Sequence, residues 1–274
     1  MRISNHKVET SGLRDYNVYL EEYSSIHEFV STIDSRPYNS WATGDEHRHP
    51  PTNDDKQGLM YGWKEFTDEL KVELEKSENI KTRDKALKQK VYAIKGYYPN
   101  VGKALRGNQK CMGRYNKVRV STKIVEIIWD CGAACRENAE TIKNQGVKLL
   151  AKIKELELMG FRVRLMVQGF KGRVDDINNA YMARIVLKDE NQPLDLMRIA
   201  YPLANVRMLR TWMFHWYEHL PNAKYIKGYG ISLYLWKQQE REALLKAVNV
   251  KPNQYYINLN TDIDSTFKKL EGGK

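Results

Sequence analysis

Cysteine is scarce in this 274-residue chain: Cys111, Cys131 and Cys135 are odd in number and unevenly spaced. That argues against a secreted disulfide framework. No run approaches the ~18 apolar residues that a membrane span needs, and the N-terminus, MRISNHKVETSGLRDY, has no apolar signal-peptide core. The expectation is a cytoplasmic protein without membrane association. Nucleotide and nucleophile signatures are also missing. No G-x-x-x-x-G-K-[ST], G-x-G-x-x-G or G-x-S-x-G occurs, so nucleotide hydrolysis, dinucleotide binding and a nucleophile elbow lack sequence support. No residue is nominated as a catalyst, and the chain reads as a non-enzymatic protein with no cofactor.

The most informative absence is local. Between Lys85 and Lys123 there are eleven Lys or Arg and no Asp or Glu. The net charge is +11, so this one segment carries the whole excess. Solvated faces are normally mixed in sign, because clustered like charges repel. A negatively charged partner is the simplest reason for the cluster. Lys and Arg neutralise phosphates and release counterions, and tyrosines such as Tyr92 and Tyr115 stack on unpaired bases at roughly 1–3 kcal/mol each. The candidate nucleic-acid-binding residues are Lys88, Lys90, Lys95, Tyr97, Tyr98, Lys103, Arg106, Lys110, Arg114, Lys117 and Arg119. Gly96, Gly102, Gly107 and Gly113 let the backbone approach a phosphate chain. No RRM, KH, zinc-finger or helix-turn-helix pattern accompanies them, so the expected partner is RNA or DNA bound without sequence preference, single strands favoured. An acidic protein partner is the alternative.

Patterning divides the chain near residue 117. Residues 1–117 read as a mainly helical region: a strand-like start at Tyr16–Tyr19, a helix over Ser25–Ile33, a long loop over 36–57, an amphipathic helix over Leu59–Ser77 and more helix over 81–95. From Val118 the pattern becomes regular alternation. Strands are expected at Val118–Trp129, Phe161–Val167, Tyr181–Leu187, Gly230–Trp236 and Tyr255–Leu259, with helices at Asn138–Met159, Leu194–Ile199, Ala204–Leu220, Gln238–Val248 and Ile263–Leu270. The expected fold is α/β, a mostly parallel sheet with helices on both faces, and a third strand that runs antiparallel at an edge.

The first of these strands, IVEIIWD, ends on Asp130, where open α/β sheets place their ligands. This order of strands and helices resembles the von Willebrand factor A domain, with a plain Rossmann-like domain as the competing likeness. In the A-domain family the first strand ends in D-x-S-x-S, whose Asp and hydroxyls hold Mg²⁺. Here the segment reads D-C-G-A-A: Asp130 matches, while Gly132 and Ala134 stand where the family has its serines. The resemblance therefore implies a degenerate site without metal and a domain used for protein contacts. The whole chain is also similar to proteins of tailed phages and their bacterial hosts, through GYYPNVGKALRG and NQPLDLMRIAYPL.

Two histidine groups complete the inventory. HWYEH, His215 to His219, fits H-x-x-E-H, the inverted zinc-protease motif, and makes a zinc-dependent hydrolase a further alternative. Pro221 closes its helix at once, and helix-terminal histidines explain it as well. His47 and His49 read as part of a solvated loop, and Cys131 and Cys135 as small core residues beside a turn.

Overall fold

The computed structural model describes residues 1–8, 16–37, 50–63, 66, 88–117, 123–133, 137–171, 179–220, 238–248 and 254–271. The chain opens with strands β1 (Arg2–Val8) and β2 (Tyr16–Tyr23) and helices α1 (Ile26–Asp34) and α2 (Asn53–Tyr61). Next come β3 (Lys88–Ala93), β4 (Tyr98–Pro99), α3 (Val101–Leu105) and β5 (Met112–Lys117). The remainder runs β6 (Ile124–Asp130), α4 (Ala139–Leu158), β7 (Arg162–Lys171), β8 (Asn179–Lys188) and α5 (Leu196–Ala204). A π-helical turn (Met208–Met213) leads into α6 (Phe214–Glu218), followed by α7 (Gln238–Ala247), β9 (Gln254–Ile257) and α8 (Ile263–Glu271).

The fold is mixed α/β. Among the described residues six strands form one sheet in the order β1-β2-β8-β7-β6-β9, and three short ones form a second, β3-β5-β4. In the large sheet β2–β8, β7–β6 and β6–β9 run parallel, whereas β1–β2 and β7–β8 run antiparallel. The expectation of a mostly parallel sheet is thus corrected to a mixed one. The third strand of the alternating region, β8, is antiparallel to β7 but lies inside the sheet rather than at its edge, because β2 pairs along its other side. The N-terminal region is likewise not mainly helical among its described residues: β1 and β2 join the large sheet, and Ile26, Phe29, Val30, Ile33 and Leu59 of the helices enter the same core as β6 and β7.

From Val125 on, β6 is buried on both faces, as the density of Ile and Val demands. One face, with Val125, Ile127, Trp129, Val163 and Val167, packs under the helical layer of α4, α5 and α6. The other carries Val18, Leu20, Phe170 and Met182 beneath Leu244 of α7. Helix α4 is capped by Asn138, whose side-chain oxygen accepts from the Thr141 amide at 2.7 Å, and is left through Gly160 at φ +88°. Gly146 on α4 meets the backbone of Leu203 and Ala204 on α5 so closely that a Cβ would collide with both.

The expected helix over 81–95 is a strand at its described end, 88–93. Lys90 and Lys95 have no acid three or four residues away to form the pairs that support an exposed helix, while Val91 and Tyr92 favour a pleated strand. The expected loop over 36–57 gives way to α2 at Asn53, where Thr52 and Asp55 make a reciprocal capping box. The helix expected over Ala204–Leu220 is interrupted: α5 ends at Ala204, and the π-helical turn re-phases the chain before α6. The amphipathic helix expected over Leu59–Ser77 does not continue from its start: α2 ends at Tyr61, because Gly62 leaves helical geometry at φ +114°. Residues 64–65 and 67–77 of that helix, and the strand expected over 230–236, lie outside the described residues. No helix among the described residues is long and apolar enough to cross a membrane.

Candidate nucleic-acid interface

The acid-free segment folds into the small sheet. Its register sets Lys88 opposite Lys117, Lys90 opposite Tyr115, and Tyr92 and Tyr98 on either side of Gly113. Because strand residues alternate between faces, positions 88, 90, 92, 98, 113, 115 and 117 share one face. Two glycines make the sheet possible. A Cβ on Gly96 would lie 2.6 Å from the Gly113 carbonyl oxygen, the atom that accepts from the Tyr97 amide at 2.9 Å. Helix α3 is capped by Asn100, which accepts from the Lys103 amide at 3.0 Å and donates its own amide to the Tyr92 hydroxyl at 3.1 Å. The Lys103 ammonium lies 3.8 Å from the Tyr92 ring centroid, so Tyr92 is held by a cation–π contact as well.

Around this frame the expected residues point outward. Tyr97 is 86% exposed and Tyr98 54%, and Lys95, Arg106, Lys110 and Arg114 are exposed. None of these four cations has an ion-pair partner among the described residues. Lys103 is half-buried against Tyr92. Lys88, Lys90 and Lys117 are strand positions of the sheet, and Arg119 lies outside the described residues. Ile94, Val101 and Leu105 add exposed apolar surface. Five of the ten large hydrophobics exposed among the described residues fall between 94 and 105, which concentrates them on the basic segment rather than scattering them.

Asp130 occupies a different environment. It is fully buried, its Oδ1 accepts from the Gly132 amide at 2.9 Å, and its Oδ2 accepts from the Tyr256 hydroxyl at 2.6 Å. Both carboxylate oxygens already have protein donors, which fits a divalent cation poorly. Cys131 follows with its thiol donating to the Gln168 carbonyl at 3.3 Å, pushed up by burial and then by Asp130. Ala134 and Cys135 lie outside the described residues. Along the same face Arg184 donates to Gln168 at 2.9 Å, and Gln254 donates to Glu126 at 2.6 Å. This buried polar row was invisible to periodicity, since an isolated Arg or Glu in a strand reads as solvent-facing.

His215 and His219 are neighbours on α6 and the turn after it, with ring centroids 5.1 Å apart. His219 engages the His215 carbonyl through Nδ1 at 2.9 Å. Burial, then His219, pushes His215 below its ordinary value. Among the described residues no third His, Cys, Asp or Glu joins them as a metal-holding group. His47 and His49 lie outside the described residues.

Sequence reasoning missed one constellation. Buried Asp55 of α2 accepts from Tyr201 of α5 and from Arg207, each at 2.8 Å, and from the Thr52 hydroxyl at 2.7 Å. Burial would raise the Asp55 carboxyl, but these donors outweigh it and hold it low. Its partners stand 146 and 152 residues away, so the T-x-x-D capping signature at Thr52 was the only local signal.

These features define a mixed α/β protein that carries a small, basic, tyrosine-bearing sheet. The chain belongs to the family described as Domain of unknown function (DUF7192), whose model matches residues 4–272 and so spans both sheets. No curated protein and no solved structure matches the chain.

Proposed function

We propose that the protein binds single-stranded RNA or DNA without sequence preference, through the small sheet and α3, and has no enzymatic role. The observation that carries this reading is the exposure of Tyr97 and Tyr98 within an acid-free segment whose Lys95, Arg106, Lys110 and Arg114 have no ion-pair partner among the described residues. Phosphates meet Lys95, Arg106, Lys110 and Arg114, and bases stack on the two rings. The same reading takes the large-sheet body as an A-type domain without its metal. Its support is Asp130, at the carboxyl end of β6, with both oxygens engaged by Gly132 and Tyr256.

Fluorescence anisotropy with labelled oligonucleotides tests the binding. Affinity for single strands should fall steeply with salt, with a slope of roughly 0.7 in log affinity per neutralised phosphate. Charge reversal at Arg106, Lys110 and Arg114 should weaken binding and flatten that slope, while reversal at Arg241 and Lys246 of α7 should do less. Tyr97→Ala with Tyr98→Ala should cost single strands more than duplex, since only unpaired bases offer a free face. Absence of binding at low salt, where attraction is least screened, sinks the reading and leaves an acidic protein as the partner to seek.

A further inference from the structure

Helices α2 and α5 enclose an open cleft of about 580 Å³, within the range of small-ligand sites. Buried Tyr201 and Asp55 lie at its base, Tyr61 and Trp63 are its aromatic walls, and Asp54 and Arg207 also line it. The construction is specific. Gly58 is the α2 position against which the Tyr201 ring lies, where a Cβ would stand 2.7 Å from a ring carbon. Gly62, at φ +114°, turns the chain so that the Trp63 amide donates to the Met197 carbonyl at 3.3 Å. Tyr61 is 70% exposed and Trp63 half-buried, with Trp63 braced by Phe66 (centroids 4.7 Å apart) and by Tyr201 (6.0 Å).

The charges select the ligand. Asp55 is saturated by Thr52, Tyr201 and Arg207, so it holds the guanidinium and has no oxygen to spare. Arg207 spends one nitrogen on Asp55 and its backbone amide on Asn205, which fixes its stem and leaves its other N–H groups at a set place. Asp54, exposed on the first turn of α2, lines the same space. An organic cation entering the cleft meets Arg207, and a phosphate or carboxylate meets Asp54. A neutral planar ring meets neither penalty. It presents π faces to Tyr61 and Trp63 and a mixed edge to a donor, Arg207, and an acceptor, Asp54, with the Gln57 amide supplying both kinds of group and the Asn205 amide its N–H donors.

We propose that this cleft takes a single unstacked nucleobase, edge inward, with its sugar and phosphate left outside. The choice of a nucleobase among neutral heterocycles rests on the nucleic-acid reading above; the neutrality and planarity come from the cleft itself.

The test uses the full chain and the four uncharged ribonucleosides, followed by saturation-transfer NMR and by tryptophan fluorescence. Nucleosides carry no phosphate, so the basic sheet adds nothing to their attraction and their binding should not respond to salt. At least one nucleoside should bind saturably. Tyr61→Ala and Asp54→Ala, both at exposed positions, should each weaken it about tenfold, the scale of one stacking contact or of one hydrogen bond to a charged group, and leave the salt slope of oligonucleotide binding unchanged. Oligonucleotide binding with no saturable nucleoside binding, or with nucleoside binding indifferent to both variants, overturns the cleft proposal and leaves the sheet reading standing. Nucleoside binding that both variants remove, with no oligonucleotide binding, keeps the cleft and removes the sheet.

Discussion

The Tyr256 hydroxyl donates to the Asp130 carboxylate across adjacent strands at 2.6 Å, beneath the surface of the sheet. Burial and then that carboxylate push the Tyr256 hydroxyl far above its ordinary range, so it remains a donor at every physiological pH. Tyr256→Phe removes a donor from a fully buried carboxylate and should cost about 2 kcal/mol of stability. Urea denaturation measures it. A loss under about 0.5 kcal/mol, the level of an indifferent surface change, would show that the bond does not matter.

The same geometry bears on metal. A hard cation binds through free oxygens, and the Asp130 oxygens are engaged by Gly132 and Tyr256. Millimolar Mg²⁺ or Mn²⁺ should therefore leave the melting temperature unchanged. A metal-dependent rise that Asp130→Ala abolishes would prove the site alive.

Acid should weaken the fold through His215. Its folded value lies below the ordinary 6.5, first through burial, then through His219, with Arg36 adding positive charge. Above the unfolded value both states are neutral there, and stability is indifferent to pH. As pH falls below it, the unfolded chain takes up a proton that the folded chain resists, and stability drops until the folded value is passed. Urea midpoints at about pH 7.5 and about pH 5.5 should diverge in the wild type, and His215→Gln should shrink the difference. An unchanged difference would move the effect elsewhere.

Gly146→Ala should push α4 away from α5, because the new Cβ meets backbone rather than a yielding side chain. Overpacking of this kind costs typically about 1–3 kcal/mol. Thermal denaturation should show it, whereas Gly107→Ala, where a Cβ meets nothing, should cost only what its φ of +70° imposes.

The parts of the fold legible in the sequence were those whose contacts are local or whose pattern is dense. Helix α4 matched its expected span to a residue at each end, because its apolar stripe, Asn138 cap and Gly160 exit are all read from neighbouring residues. Strands β6 and β7 were evident from consecutive Ile, Val and Leu. The position of β8 was not, since its second neighbour, β2, lies far back in the chain and its own pattern reads the same at an edge or inside. For the candidate interface the charge asymmetry of 85–123 was plain, but its strands were not: Lys-rich segments satisfy helix and strand templates alike, and pairing with β5 decides. The cleft was hidden for the same reason as β8, because Asp55 meets Tyr201 and Arg207 only after folding.

The parallel seam between β2 and β8 also sets an order of events during synthesis. Asn17 and Asn179, hydrogen-bonded across it, are separated by 162 residues. At ribosomal elongation rates of 5–20 residues per second, β2 emerges roughly 10 to 30 seconds before its partner exists. The β1–β2 hairpin is local and can close early, but its inner edge stays open until β8 slots between it and β7. The nascent chain thus carries an unsatisfied edge through most of its translation. Deleting the first 23 residues would not trim a tail; it would strip β8 of one whole side of its hydrogen bonding.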